Sequence, residues 1–229
     1  MNATTADRFD IGQVTIDKLP DHLLLEIFDF CRMGYIRLFD LVWDWESLAR
    51  VCRRWRSIIF ASPQRLRLHL LCDGLTPTRT SLDIWPPFPI AVCYPFWLVR
   101  HYWTSGVPMV DDHEGKKLEN VIAALERHDR ITHIRLTNPS GCTLRRFVAV
   151  MLEPFVALTH LHLRSNERTA PVLPEAFLGG SAPRLRSFEL QGIAFPSLPR
   201  LFVSSDLVHL SFEKIPTSGY ISPEAMPAT

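Results

Sequence analysis

Three histidines, His133, His160 and His162, stand in short alternating segments whose starts are 27 residues apart, with Arg135 and Arg164 close by in the chain. Imidazoles and guanidiniums gathered on one surface can ligate a metal, move a proton or recognise an anion. Zinc needs ligands of fixed geometry, with ring orientation set by an outer carboxylate or carbonyl. No carboxylate is expected to orient these three histidines, so no metal is assigned. Catalysis needs a nucleophile, a base and an orienting group in one pocket. The chain has no P-loop, G-x-G-x-x-G, H-E-x-x-H or G-x-S-x-G. Asp111-Asp112-His113-Glu114 carries acid–base groups but precedes a helical stretch beginning near Gly115, and reads as a solvated loop with charges at a helix N-terminus. A cysteine- or histidine-based hydrolase would have to gather Cys142 or Cys93 with a histidine and a carboxylate. Neither intrinsic catalysis nor a cofactor is expected, and recognition is the chemistry that remains.

The elements that position these side chains follow from a repeat. Four segments read apolar-x-x-apolar-x-apolar: Ile131/Ile134/Leu136, Leu158/Leu161/Leu163, Leu185/Phe188/Leu190 and Leu207/Leu210/Phe212. Helical or turn-rich stretches lie at Lys117 to His128, Thr143 to Leu152, Pro174 to Leu178 and Leu198 to Val203. A short strand plus a helix every 20–29 residues is the pattern of leucine-rich repeats, whose units stack because one alone cannot bury its apolar face. Side chains alternate across a strand, so the polar residues form outward columns: His133, His160, Ser187 and His209; Arg135, His162, Glu189 and Ser211; Thr137, Arg164, Gln191 and Glu213. This face is the expected recognition surface, with His133, Arg135, His160, His162, Arg164 and Glu189 as its candidate residues. Arg135 and Arg164 would favour an acidic or phosphorylated segment. The alternative is a solvated polar face without a binding role.

Upstream the pattern is helical. Leu23, Leu24, Ile27, Phe28 and Cys31 recur at spacings of three and four after Leu19-Pro20-Asp21. Leu48, Val51, Cys52, Trp55, Ile58 and Ile59 form a second such stretch, read as one helix ended by Pro63. Arg32 to Asp44, with Gly34, is expected to hold a short extra helix. Leu66-Arg67-Leu68-His69-Leu70 alternates as a half-buried strand does. The Pro-rich run from Pro77 to Pro95 reads as an ordered, packed connection.

Composition narrows the partners. Charged residues nearly balance, 25 basic against 24 acidic, so nothing general favours nucleic acid or an anionic membrane. No apolar run approaches the roughly 20 residues of a membrane span, and no secretory signal opens the chain. Five cysteines without a C-x-x-C pair read as reduced thiols of an intracellular protein, cytoplasmic or nuclear.

Leu19-Pro20-Asp21-His22-Leu23-Leu24-Leu25-Glu26-Ile27-Phe28, followed by Leu48-Ala49-Arg50-Val51-Cys52-Arg53-Arg54-Trp55-Arg56, resembles the F-box motif. With the repeats behind it, the chain is similar to F-box proteins with C-terminal leucine-rich repeats, of the fungal type. That resemblance implies a small helical bundle that docks on the Skp-type linker of a Skp–cullin–F-box ubiquitin ligase. The implied contacts are Leu19, Pro20, Leu23, Ile27, Leu48, Val51, Cys52 and Trp55, with Trp55 as anchor. The expected fold class is α plus α/β: a helical F-box bundle, then a short, irregular leucine-rich-repeat α/β solenoid. Residues 1–15 are expected to be a flexible N-terminus, 16–62 the F-box, 63–130 irregular first repeats or a connection, and 131–229 the repeat array, truncated and without a polar cap. The implied role is a non-catalytic adaptor that brings an unknown protein substrate to a cullin ligase. A leucine-rich-repeat scaffold outside any ligase is the other reading.

Overall fold

The computed structural model describes residues 15–33, 45–66, 68–72, 78–94, 114–167, 172–195 and 206–219. They fall into two compact units that divide between Leu66 and Arg67.

The first unit is helical. A 3-10 turn, Ile16–Lys18, leads to Leu19 and Pro20. The Pro20 carbonyl accepts from the N–H groups of Leu23 and Leu24 at 3.0 and 3.2 Å, so Pro20 stands just ahead of helix α1, Asp21–Met33. Helix α2 is Trp45–Val51 and α3 is Arg53–Ala61. Leu24 and Phe28, four residues apart and hence on one helix face, join Trp45, Ala49, Ile58, Ile59 and Leu66 in the core. Phe28 packs on Trp55 with ring centroids 4.8 Å apart, and Trp45 on Phe60 at 6.1 Å.

The stretch from Leu48 to Ile59 is two helices, not the single one its periodicity implies. Cys52 is extended, with φ −156° and ψ 170°, and its Sγ accepts from Trp55 N–H at 3.5 Å. Cys52 is thus the N-cap of α3, and Arg56 Nε donates to the Ala49 carbonyl at 3.0 Å, pairing one of the last carbonyls of α2. A one-residue break between capped helices leaves the apolar spacing intact, and no glycine or proline marks it.

Arg54 ties α3 to the entrance of α1. Its guanidinium donates to the carbonyls of Asp17 and Leu19 and to the Asp21 carboxylate, at 2.7 Å through Nη2. The Asp21 pairing is exposed and adds little; the two carbonyl bonds matter more. Arg54→Ala should destabilise this unit by about 1–2 kcal/mol. Urea unfolding followed by Trp fluorescence would read the loss. Arg54→Lys should recover only part of it, since one ammonium cannot span the same set of acceptors.

The second unit is a sheet with helices. In chain order it contains β1 Leu70–Cys72, α4 Thr78–Ile84, β2 Ile90–Tyr94, α5 Glu114–Leu125, β3 Ile131–Thr137, α6 Gly141–Val150, β4 His160–Arg164, a 3-10 turn Phe177–Gly180, β5 Ser187–Gln191, β6 His209–Glu213 and a 3-10 turn Thr217–Gly219. The six strands form one parallel sheet whose spatial order is the chain order. Inward rows run Val92, Ile134, Leu161, Phe188, Leu210 and Tyr94, Leu136, Leu163, Leu190, Phe212. Helix α5 packs on β1 and β2 and lies beside α4 and α6. Phe147 of α6 meets Tyr94 edge-on at 5.2 Å, and Phe195 stacks on Phe212 at 5.0 Å. Among the described residues the last strand is the least covered, with Val208 80% and Leu210 42% exposed.

Three strand ends share one bond type. The N–H of Asn138, Ser165 and Gly192 donates to the carbonyl ending the next strand, at 2.7, 2.9 and 2.9 Å, on Arg164, Gln191 and Glu213. Asn138, Gly192 and Lys214, each the residue after a strand, have positive φ of 52°, 68° and 51°.

Two expectations shift. The strand read at Leu66–Leu70 begins only at Leu70, because Leu66 closes the first unit, its N–H bonded to the Ser62 carbonyl at 3.1 Å. The Pro-rich connection contains a full strand, β2, and a helix, α4. The helical stretches at Lys117, Thr143 and Pro174 are α5, α6 and the Phe177–Gly180 turn. Those at Arg32–Asp44 beyond Met33 and at Leu198–Val203 lie outside the described residues, as do residues 1–14, Asp111-Asp112-His113 and the absence of a terminal cap. No helix among the described residues is long and apolar enough to cross a membrane.

Candidate functional site

The first unit offers one surface. None of Leu19, Pro20, Leu23, Ile27, Leu48, Val51, Cys52 and Trp55 is buried. Val51 is 60% and Leu23 42% exposed, whereas Leu24, Ala49 and Ile59 of the same stretches are fully buried. The helical period therefore divides the motif in two. One set of apolar residues makes the core, and the adjacent set is left in contact with water. Trp55 belongs partly to each, half-buried with its ring against Phe28.

In the second unit the pairing register aligns the outward residues in three rows. His133, His160, Ser187 and His209 are in register, as are Arg135, His162, Glu189 and Ser211, and Thr137, Arg164, Gln191 and Glu213. On the β2 side Ala91 pairs with His133 and Cys93 with Arg135. Cys93 is buried and lies two strand spacings from His162, roughly 10 Å. The exposed Cys142 sits in α6. The two thiols stand on different elements, Cys93 in β2 and Cys142 in α6.

His133 and His160 stack face to face, with centroids 4.5 Å apart and planes 5° from parallel, and His69 meets His133 edge-on at 5.1 Å. Each stacked ring is held by the threonine before it. Thr132 Oγ1 donates to the Ile90 carbonyl at 3.2 Å, and Thr159 Oγ1 donates to the Thr132 carbonyl at 2.9 Å. A hydroxyl has one proton. With that proton on a carbonyl, Oγ1 accepts from His133 Nδ1 and His160 Nδ1, each at 2.9 Å. Both rings are thereby assigned the Nδ1–H tautomer. The repeated Thr-His dipeptide, Thr132-His133 and Thr159-His160, is the sequence signal for this device, and periodicity alone passed over it.

His133 is 8% exposed, so of the six candidate residues on this face it reaches solvent least. Burial, then the neighbouring His69 and His160, pushes its pKa down to about 3. The unfolded chain binds a proton near pH 6.5 and the folded chain does not, so stability is lost as pH falls from about 6.5 towards 3. At pH 5 the loss should be about 2 kcal/mol relative to pH 7. Urea midpoints at the two pH values would measure it, and His133→Asn should flatten the difference.

His162 is oriented by Glu189, contrary to the expectation that no carboxylate would hold these rings. Its Nδ1 lies 2.7 Å from Glu189 Oε2, and Glu189 Oε1 is 3.5 Å from His209 Nε2. Burial lowers the His162 pKa; Glu189 opposes this, and Arg135 and Arg164 reinforce it. Arg135 pairs with His162 across β3 and β4, and Arg164 with Thr137. Both arginines are half-buried. The described residues include no group of three or more His, Cys, Asp or Glu side chains able to hold a metal ion.

Chemically, the first surface is apolar and suited to burial against a partner. The second is polar, cationic at β3 and β4 and acidic at β5. No curated protein and no solved structure matches the chain. Residues 16–66 match the F-box-like family, a span that ends where the first compact unit does. The first unit of this chain is an F-box-like domain.

Proposed function

We propose that the chain is a substrate-recognition adaptor of a Skp–cullin–F-box ubiquitin ligase. An F-box-like domain points in general to a ligase adaptor, and such domains are typically non-catalytic. The single observation that carries the docking half is the division of the motif. Leu19, Pro20, Leu23, Ile27, Leu48, Val51, Cys52 and Trp55 stay at the surface while their apolar neighbours form the core. Apolar side chains left outside the core of a small bundle suit an interface, and Trp55 supplies the aromatic anchor.

The recruiting half is read from the second unit. Its chain-ordered parallel strands, joined through helices or turns, support a leucine-rich-repeat solenoid. The outward rows holding His133, Arg135, His160, His162, Arg164 and Glu189 are the proposed face for a protein substrate. No nucleic acid, membrane or cofactor enters this reading. Co-purification of the full chain with a Skp-type linker tests it. Recovery of the linker is expected; its absence with the folded wild-type chain would leave a binding scaffold outside the ligase as the better description.

A further inference from the structure

We infer that the outward face at β3 and β4 is an oxyanion subsite, in which Arg135, Arg164 and Thr137 hold a carboxylate or phosphoryl group and His162 takes up a proton with it. This rests on the reading that the face binds a partner, and it adds the chemical class of the bound group.

The geometry comes from the register. Arg135 stands beside His162 and Thr137 beside Arg164 on neighbouring strands, and the two members on each strand are two residues apart on one face. The four side chains therefore root at the corners of a patch of roughly 5 by 7 Å. Within it His162 Nε2, Arg164 Nε and Thr137 Oγ1 are buried without a hydrogen-bond partner among the described residues. Buried polar atoms are nearly always paired, and three such atoms on adjoining positions suit one shared partner. Glu189 is one acceptor the patch already has, and it engages the far side of the His162 ring.

The polarity of that ring decides the rest. Glu189 as a carboxylate only accepts, so His162 Nδ1 carries the proton, and Nε2 of the neutral ring is a lone pair. A lone pair repels an anion; a protonated Nε2 donates to it. Among the described residues, the groups around His162 are Arg135 and His133 from β3, Glu189 from β5 with His209 of β6 beyond it, and His160 and Arg164 on its own strand. Glu189 is the one carboxylate among them. The two guanidiniums oppose a charge on the ring, in line with the direction in which its pKa is moved. An oxyanion between them reverses that balance, so anion and proton bind together.

Imidazole nitrogen and proton resonances of the full-length chain, followed against pH, test this. Spectra would be taken in inorganic phosphate, in acetate, and in chloride at matched ionic strength. Phosphate or acetate should raise the apparent pKa of His162 by about one pH unit or more over chloride. Arg164→Gln should abolish that rise while the wild-type pattern of backbone resonances persists. A response to phosphate alone assigns a phosphoryl group, and a response to acetate assigns a carboxylate. An equal His162 pKa in all three salts would overturn the inference on the wild-type chain alone. So would a rise that survives Arg164→Gln. Linker recovery does not depend on this face, so an overturned subsite with the linker still bound leaves the adaptor reading standing.

Discussion

Replacing Val51 and Leu23 together by aspartate should abolish linker capture while leaving the chain folded. Both side chains are exposed in the free protein, on α2 and α1, so the folded state loses few contacts, and each change should cost no more than about 0.5–1 kcal/mol. At an interface the same changes put two carboxylates where apolar surface would be buried. Uncompensated charge at the centre of an interface costs at least about 2 kcal/mol per site. With two sites, a weakening of about 1,000-fold is expected. Titration of purified linker against both proteins would measure it, with circular dichroism confirming the helices. Undiminished affinity would place the docking surface elsewhere. Trp55→Ala is the less informative change, since its ring also covers Phe28 and truncation mixes lost docking with lost packing.

Gly192→Ala should be a severely damaging small substitution in the second unit. Gly192 has φ +68°, a conformation that costs a residue with a side chain about 1 kcal/mol or more. A Cβ there would also stand 2.1 Å from the Ser165 carbonyl oxygen, and that backbone is held by its own bond to Gln191. Relief would require parting the ends of β4, β5 and β6. A loss of about 3 kcal/mol is expected, a fall in Tm of roughly 6–12 °C for a unit of this size. Differential scanning calorimetry would show it. Gly115→Ala supplies the control: Gly115 lies in α5 with nothing within 4 Å of its would-be Cβ, and alanine favours a helix. That variant should hold or slightly raise Tm. Equal melting of the two variants would refute the account given for Gly192.

How much of this the bare chain reveals depends on what each residue is asked to do. The outward columns from β3 to β6 follow from alternation alone, because each strand shows water one face and the core the other. Strand β2 escaped that test. Ile90, Ala91, Val92 and Cys93 are buried on both faces, so they read as a continuous apolar run inside a Pro-rich stretch. The break at Cys52 was hidden because a thiol is an unusual cap and the spacing across it stays helical. In the site, spacing places His162 and Glu189 in adjoining strands of one row. The bond between them depends on rotamers and on the partial burial of the ring, which no spacing encodes. The surface role of Leu23 and Val51, as against the core role of Leu24 and Ala49, lies in the helix phase, but it needs the packed bundle to say which side is inside.

The sheet's order has a consequence for how the chain comes to be folded at all. Strand by strand, order in space equals order in the chain, so each new strand leaving a ribosome meets a partner that has already been made. Among the described strands none waits for an inner neighbour still unsynthesised, as happens in sheets whose later strands insert between earlier ones. The growing edge at any moment is the newest strand, and among the described residues the outermost position is held by β6, with Val208 and Leu210 facing water.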